Sequence, residues 1–135
     1  MIDRISPAPH DHVLFLGIDV PLVHSIAARL TAGSIVGLGD PDAVAEARRA
    51  TRELDNVLFH HASPEEIPFR DGYFHKVIAL GGTWPRSDRT AREIARVLAP
   101  GGRLYLSTGD SIASALAARG LVLEAESDDA AVWSR

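Results

Sequence analysis

Five short apolar runs recur along the chain, at residues 13–16, 35–38, 57–59, 77–80 and 104–106, and each is continuous rather than alternating. Runs of that length and kind belong to strands buried on both faces. The segments between most of them carry a helical period instead. Leu22, Val23, Ile26, Ala27 and Leu30 fall on one stripe, as do Val44, Ala47, Thr51 and Leu54, then Ile94, Val97 and Leu98, and finally Ile112 and Leu116. Pro21 and Pro41 suit first helical positions, Asp40 and Ser87 or Asp88 suit caps, and Gly120 suits a left-handed helix end. Strands alternating with helices predict an α/β fold with a mainly parallel sheet and right-handed crossovers. After Gly120, residues 121–125 and 130–134 read as two last strands, joined by Glu126-Ser127-Asp128-Asp129 as an antiparallel hairpin.

Composition narrows the class without naming a function. The chain has 135 residues, enough for one domain spanning 1–135, and 46% of them are hydrophobic. Fourteen Lys and Arg stand against 18 Asp and Glu, a formal net charge of −4, and the charges are interspersed. Nucleic acid is therefore not an expected partner. With no cysteine there is no disulfide framework, thiolate metal site or thiol nucleophile. Asp3, Arg4, His10, Asp11 and His12 break up the first residues, so no signal peptide or membrane span is expected, and a cytoplasmic location follows.

Two motifs carry a resemblance. Glu66-Ile67-Pro68-Phe69-Arg70-Asp71-Gly72-Tyr73-Phe74 precedes a strand, and Arg92-Glu93-Ile94-Ala95-Arg96-Val97-Leu98-Ala99-Pro100-Gly101-Gly102-Arg103-Leu104 ends an amphipathic helix with Pro-Gly-Gly before the next strand. Together they resemble the methyltransferase type 11 branch of the class I S-adenosylmethionine-dependent methyltransferases, over roughly residues 11–135. The resemblance implies a Rossmann-like, doubly wound, seven-stranded sheet of order 3-2-1-4-5-7-6, with an antiparallel last strand beside the fifth. Only about eleven residues precede the first strand, so the family's N-terminal helix is expected to be missing.

The resemblance also implies an S-adenosylmethionine site, and the chain departs from the family where that cofactor lies. Phe15 stands at the acidic position of the first strand, Gly17 is retained, and Asp19 and Pro21 occupy glycine positions. Glycines matter there because they let backbone N–H groups approach a nucleoside closely. The ribose-binding acid aligns with Gly39, and Asp40 is either a helix cap or, one residue out of register, the ribose contact. The adenine-contacting Asp aligns with Ser63, after Ala62, and Phe-Asp at the fourth strand is replaced by Phe74-His75. Two lost charge-assisted contacts weaken binding about a hundredfold to ten-thousandfold. Asp19 near the cofactor's own carboxylate adds roughly 1 kcal/mol in water and about 4 in a partly buried site. A degenerate cofactor site is the expectation, and a ligand there would be lined by Gly17, Ile18, Asp19, Gly39, Asp40, Ser63, Leu80 and Gly81.

Other chemistry is thinner. His10 and His12 flank Asp11, His60 and His61 are adjacent, and His24 and His75 stand alone. Adjacent strand residues face opposite ways, so His60 and His61 do not share a metal, whereas His10, His12 and His75 are expected near one another at the end away from the crevice. His61 ends the third strand near the crevice as a candidate acid or base. Ser107-Thr108-Gly109-Asp110 does not match a hydrolase elbow, and Asp110 reads as the cap of the last helix. The glycine pair of Gly81-Gly82-Thr83-Trp84-Pro85 permits close backbone approach, with Trp84 packed on a neighbour. The helices after strands four and five cover only one sheet face, so the other needs residues 1–10 or a second subunit, and a two-fold homodimer is expected. The leading expectation is a methyltransferase-fold binding or assembly module without catalysis, a pseudoenzyme. Its rivals are an active methyltransferase on a small molecule and a histidine-based metal or ligand sensor.

Overall fold

The computed structural model describes residues 2–135 and arranges its strands in one seven-stranded sheet. In chain order the elements are α1 (Ile2–Ile5), β1 (His12–Leu16), α2 (Val20–Ala27), β2 (Ser34–Gly39), α3 (Pro41–Ala50), β3 (Val57–His61), β4 (Phe74–Ala79), α4 (Asp88–Val97), β5 (Leu98–Ser107), α5 (Ala113–Ala118), β6 (Val122–Glu126) and β7 (Ala130–Ser134). In space the strands run β3-β2-β1-β4-β5-β7-β6. The first five pair in parallel, and β7 is antiparallel to both β5 and β6. This is the α/β, Rossmann-like arrangement that the two motifs imply.

Local chemistry sets most boundaries where the sequence puts them. Asp19 caps α2 by accepting the Leu22 N–H at 3.2 Å, Asp40 caps α3 through the Ala43 N–H at 2.8 Å, and Ser87 caps α4 through the Thr90 N–H at 3.2 Å. Gly120 closes α5, with the Leu121 N–H returning to the Leu116 carbonyl at 3.2 Å. Asp110 departs from its expected role. The residue capping α5 is Ile112, without a side-chain bond, while Asp110 accepts the Ile112 N–H at 3.0 Å and pairs with Arg86 at 3.2 Å. Pro-Gly-Gly also acts one step later than expected. The helix α4 already ends at Val97, because Ala99 precedes a proline and the α region is disfavoured there, and residues 99–102 form an irregularity inside β5.

Each central strand alternates its side chains between two cores, which explains why the runs are apolar throughout. Leu14, Leu16, Leu38, Val77 and Leu104 meet Ala91, Ile94 and Val97 of α4 and Leu116 of α5. On the other face Val13, Phe15, Ile35, Ile78 and Tyr105 meet Val23 and Ile26 of α2, Val44 of α3, and Ile5. Ahead of β1 stands the single turn α1. Its Ile5 is 1% exposed and accepts the Tyr105 hydroxyl at its carbonyl, 3.2 Å away. Residues ahead of β1 thus cover the middle of the face that α4 and α5 leave. The strand β6 stays exposed, with Val122 at 60%.

No helix forms between β3 and β4 among the described residues; Arg96 of α4 shapes that loop instead. It donates to the carbonyls of Ile67 and Phe69 at 2.8 Å and pairs with Glu93 at 2.7 Å and Asp71 at 2.8 Å. Glu93 in turn accepts the Ile67 N–H at 2.9 Å. The bond from Arg96 holds the Glu93 carboxyl below its ordinary range, and the same carboxylate raises the guanidinium.

Candidate functional site

The carboxyl ends of β1 to β4 open on a cavity of about 450 Å³. A crevice at that end, where the chain direction of crossovers reverses between β1 and β4, is where open α/β sheets bind ligands. The structure brings Gly17, Ile18 and Asp19 from the β1 exit, Gly39 and Asp40 from the β2 exit, Ser63 after β3 and Leu80 after β4 around this one space. Gly81 stands apart from the lining. Its N–H donates to Ser107 Oγ at 2.8 Å and ties the β4 exit to the end of β5.

The bare backbones at the crevice face each other. Gly17 has φ +81°, and a Cβ there would sit 3.4 Å from the Gly81 carbonyl and 3.5 Å from Gly82 Cα. At Gly39 a Cβ would meet the Ala43 methyl and Ile18 Cδ1, both at 3.4 Å. The left-handed backbone at Gly17 favours glycine, whereas at Gly39 a Cβ would make only ordinary van der Waals contacts. The carboxylates have partners within the protein, since Asp19 and Asp40 accept N–H groups of their own helices. Both helix starts also contain a proline, which has no N–H to offer.

Phe15 and Ser63, which the resemblance sets against acidic residues of the family, carry no charge. Phe15 is fully buried among α2 and α3 residues, and Ser63 Oγ accepts the Glu65 N–H at 3.1 Å in a local turn. Among the described residues no Lys or Arg lines the cavity; its charged groups are Asp19 and Asp40, and His61 supplies an imidazole. A phosphate would find no cation there. Trp84 is packed as the sequence leads one to expect, 8% exposed in the core on the α4 side, and it also lines the cavity along with Gly82, Thr83 and Pro85. Only the flanking glycines signalled it, because what turns this segment inward is Arg86 meeting Asp110 across 24 residues.

Of the histidines expected together away from the crevice, the structure pairs His12 with His75, while His61 lines the crevice. At the opposite end, the His12 N–H donates to His75 Nδ1 at 2.9 Å, and the two rings stack with centroids 5.7 Å apart. Tyr73 stacks on His12 at 4.7 Å. Burial first, then the charges of His75 and Arg70, push the His12 imidazole below its ordinary value. His24 of α2 meets the Ala50 carbonyl at 3.0 Å and Glu53 at 3.4 Å, so it joins α2 to the end of α3. Among the described residues no three His, Cys, Asp or Glu side chains converge as a metal site. Nor is any helix among them long and apolar enough to cross a membrane.

Comparison with known proteins agrees with the geometry. A family model described as a methyltransferase domain matches residues 22–106. The Bacillus subtilis (strain 168) protein named "Putative methyltransferase YrhH" is 40% identical over 113 residues, which is 79% of this chain and 62% of that protein. Among solved structures, an S-adenosylmethionine-dependent methyltransferase from Aquifex aeolicus superposes with a TM-score of 0.78 at 14% identity, over 98% of this chain and 86% of that one. The methyltransferase solved with the Haloferax volcanii Trm112 activator gives 0.79 at 22% identity, over 92% and 66%. The cyclase SpnF gives 0.76 at 24%, over 92% and 55%. At these identities the solved structures speak for the fold alone. The chain spans less than two thirds of the length of YrhH and of SpnF.

Proposed function

Because this chain belongs to the methyltransferase domain family, matched over 22–106, we propose that its S-adenosylmethionine cradle has been turned to structural use and that it works as a non-catalytic binding or assembly module. One observation carries this reading. The crevice carboxylates, Asp19 and Asp40, both serve as caps of α2 and α3, while Phe15, Gly39 and Ser63 supply no charge where the family holds the cofactor. The lining as built does not fit that ligand in the family's manner, and no chemical step is derived through it. Calorimetric titration with S-adenosylmethionine and with its demethylated product is the test. The expected result is affinity weakened about a hundredfold or more from the micromolar range, the scale of two missing charge-assisted bonds. Micromolar binding of either compound overturns the reading.

That outcome favours the second reading, an active methyltransferase on a small molecule. Its support is the cavity itself, since about 450 Å³ lies within the range of small-molecule sites and seven of the expected lining residues surround it. As an assembly module the chain is proposed to form a two-fold homodimer, with a second copy over the exposed β6 side. Arg103 and Glu124, paired at 3.4 Å on that face, give it both signs of charge and so the self-complementarity that a two-fold contact needs. Light scattering at low concentration checks this, and a clean monomer counts against it.

A further inference from the structure

The segment that forms the β4 side of the cavity is a strap fastened at both ends. At its start, Gly81 N–H is held by Ser107 Oγ at 2.8 Å. At its end, the Arg86 guanidinium reaches back over it. It donates to the Gly82 carbonyl at 2.9 Å and the Trp84 carbonyl at 3.0 Å, and lies 3.8 Å from the Trp84 ring centroid. The same fork donates to Asp110 Oδ2 from Nε at 3.3 Å and from Nη2 at 3.2 Å. Asp110 is 5% exposed at its side chain and is itself braced by the Ile112 N–H. Trp84 completes the arrangement by donating its indole N–H to the Gly81 carbonyl at 2.9 Å.

We infer that Arg86, anchored on Asp110, is a positioning residue that holds the strap shut and so sets the shape of the cavity. A planar fork is required because one guanidinium must reach the carbonyls of Gly81, Gly82 and Trp84, a carboxylate and an indole face at once; a lysine ammonium has neither the spread nor the stacking plane. The glycine pair at the other end supplies the freedom to swing, as Gly81 has φ +72° and open space where a Cβ would stand. With the clasp released, Trp84 leaves the cavity wall and the crevice widens toward Gly17. The value of this device to a ligand rests on the reading of the cavity as a binding pocket, whereas the device itself is observable without one.

The experiment uses the full chain with Trp133→Phe, so that Trp84 is the reporter, and measures acrylamide quenching with no ligand present. Arg86→Gln is expected to raise the open population roughly tenfold, the scale of losing a charge-assisted bond, and Trp84 quenching with it. Arg86→Lys is expected to fall between, keeping the charge without the fork. A Trp84→Phe chain, in which Trp133 reports, is expected to show no change on the same substitutions. Unchanged Trp84 quenching overturns the inference, and so does an equal rise at both reporters, which marks general loosening. If Arg86→Gln does not fold, Arg86→Lys is read against the same two outcomes. Titration of the demethylated cofactor product into the same chains tests the pocket reading separately, because quenching can rise whether or not it binds.

Discussion

His12 sits where a single side chain couples the sheet to pH. Its imidazole is pushed below the ordinary value of 6.5, chiefly by burial beneath Tyr73 and beside His75. A folded value below the unfolded one means that the unfolded chain binds more protons between the two, so stability rises with pH across that window and falls on acidification. Urea midpoints at about pH 5.5 and about pH 7.5 are expected to differ in that direction, and His12→Phe, which keeps a ring against Tyr73, is expected to shrink the difference. A larger difference in the variant would contradict the assignment. Gly37 makes a separate case of close approach. A Cβ there would lie 2.6 Å from the buried Phe59 ring and 3.1 Å from the half-buried Ile18 side chain. Gly37→Ala is expected to cost about 1 to 3 kcal/mol in denaturant unfolding through overpacking.

Among the elements, α3 shows how one residue can be read two ways. Asp40 has extended backbone at the cap position and accepts the Ala43 N–H, so the cap reading of the sequence is the one the geometry displays. Asp40→Ala is expected to lower stability by about 1 kcal/mol, read from chemical denaturation. On the active-enzyme reading the same substitution would also abolish cofactor binding, so calorimetry on this variant separates the two. The loop between β3 and β4 was legible as a motif but not as a structure. Its Phe69, Arg70, Asp71 and Tyr73 are quoted easily from the sequence, yet what gives the loop shape is Arg96 reaching it from a helix more than twenty residues later. Local pattern contains no trace of such a bond, because its partners are set by how α4 lies on the sheet.

For the molecule as a whole, the balance of cover on the two sheet faces decides what surface is left. The helices α4 and α5 pack one face of β4 and β5, and Ile5 reaches the other from ahead of β1. Ile5→Ala is expected to cost about 2 to 4 kcal/mol, the usual range for truncating a fully buried side chain, measured by urea unfolding. A cost under about 1 kcal/mol would show that the site collapses freely and that Ile5 is not what covers Tyr105. The outer part of that face, toward β6, is the part that the proposed second copy would cover. Arg103 pairs with Glu124 across it at 3.4 Å, and at the opposite edge Arg48 donates to the Phe59 carbonyl of β3 at 2.9 Å. The Arg48 guanidinium on the β3 edge keeps that open edge from pairing indiscriminately.

The sequence by itself determined the seven strands, the main helices between them and a mainly parallel sheet, because apolar runs, helical stripes and capping residues act within a few positions of one another. It also pointed, through the two motifs, to the crevice at the carboxyl ends of the strands. Tertiary structure alone decided the rest: that Asp110 faces Arg86 instead of capping α5, that Trp84 walls the cavity, and that one turn before β1 shelters Tyr105. Each of these joins residues brought together only by the packing of elements on the sheet. A long-range contact of that kind leaves no periodic mark on the chain, since its energy depends on where whole elements come to lie.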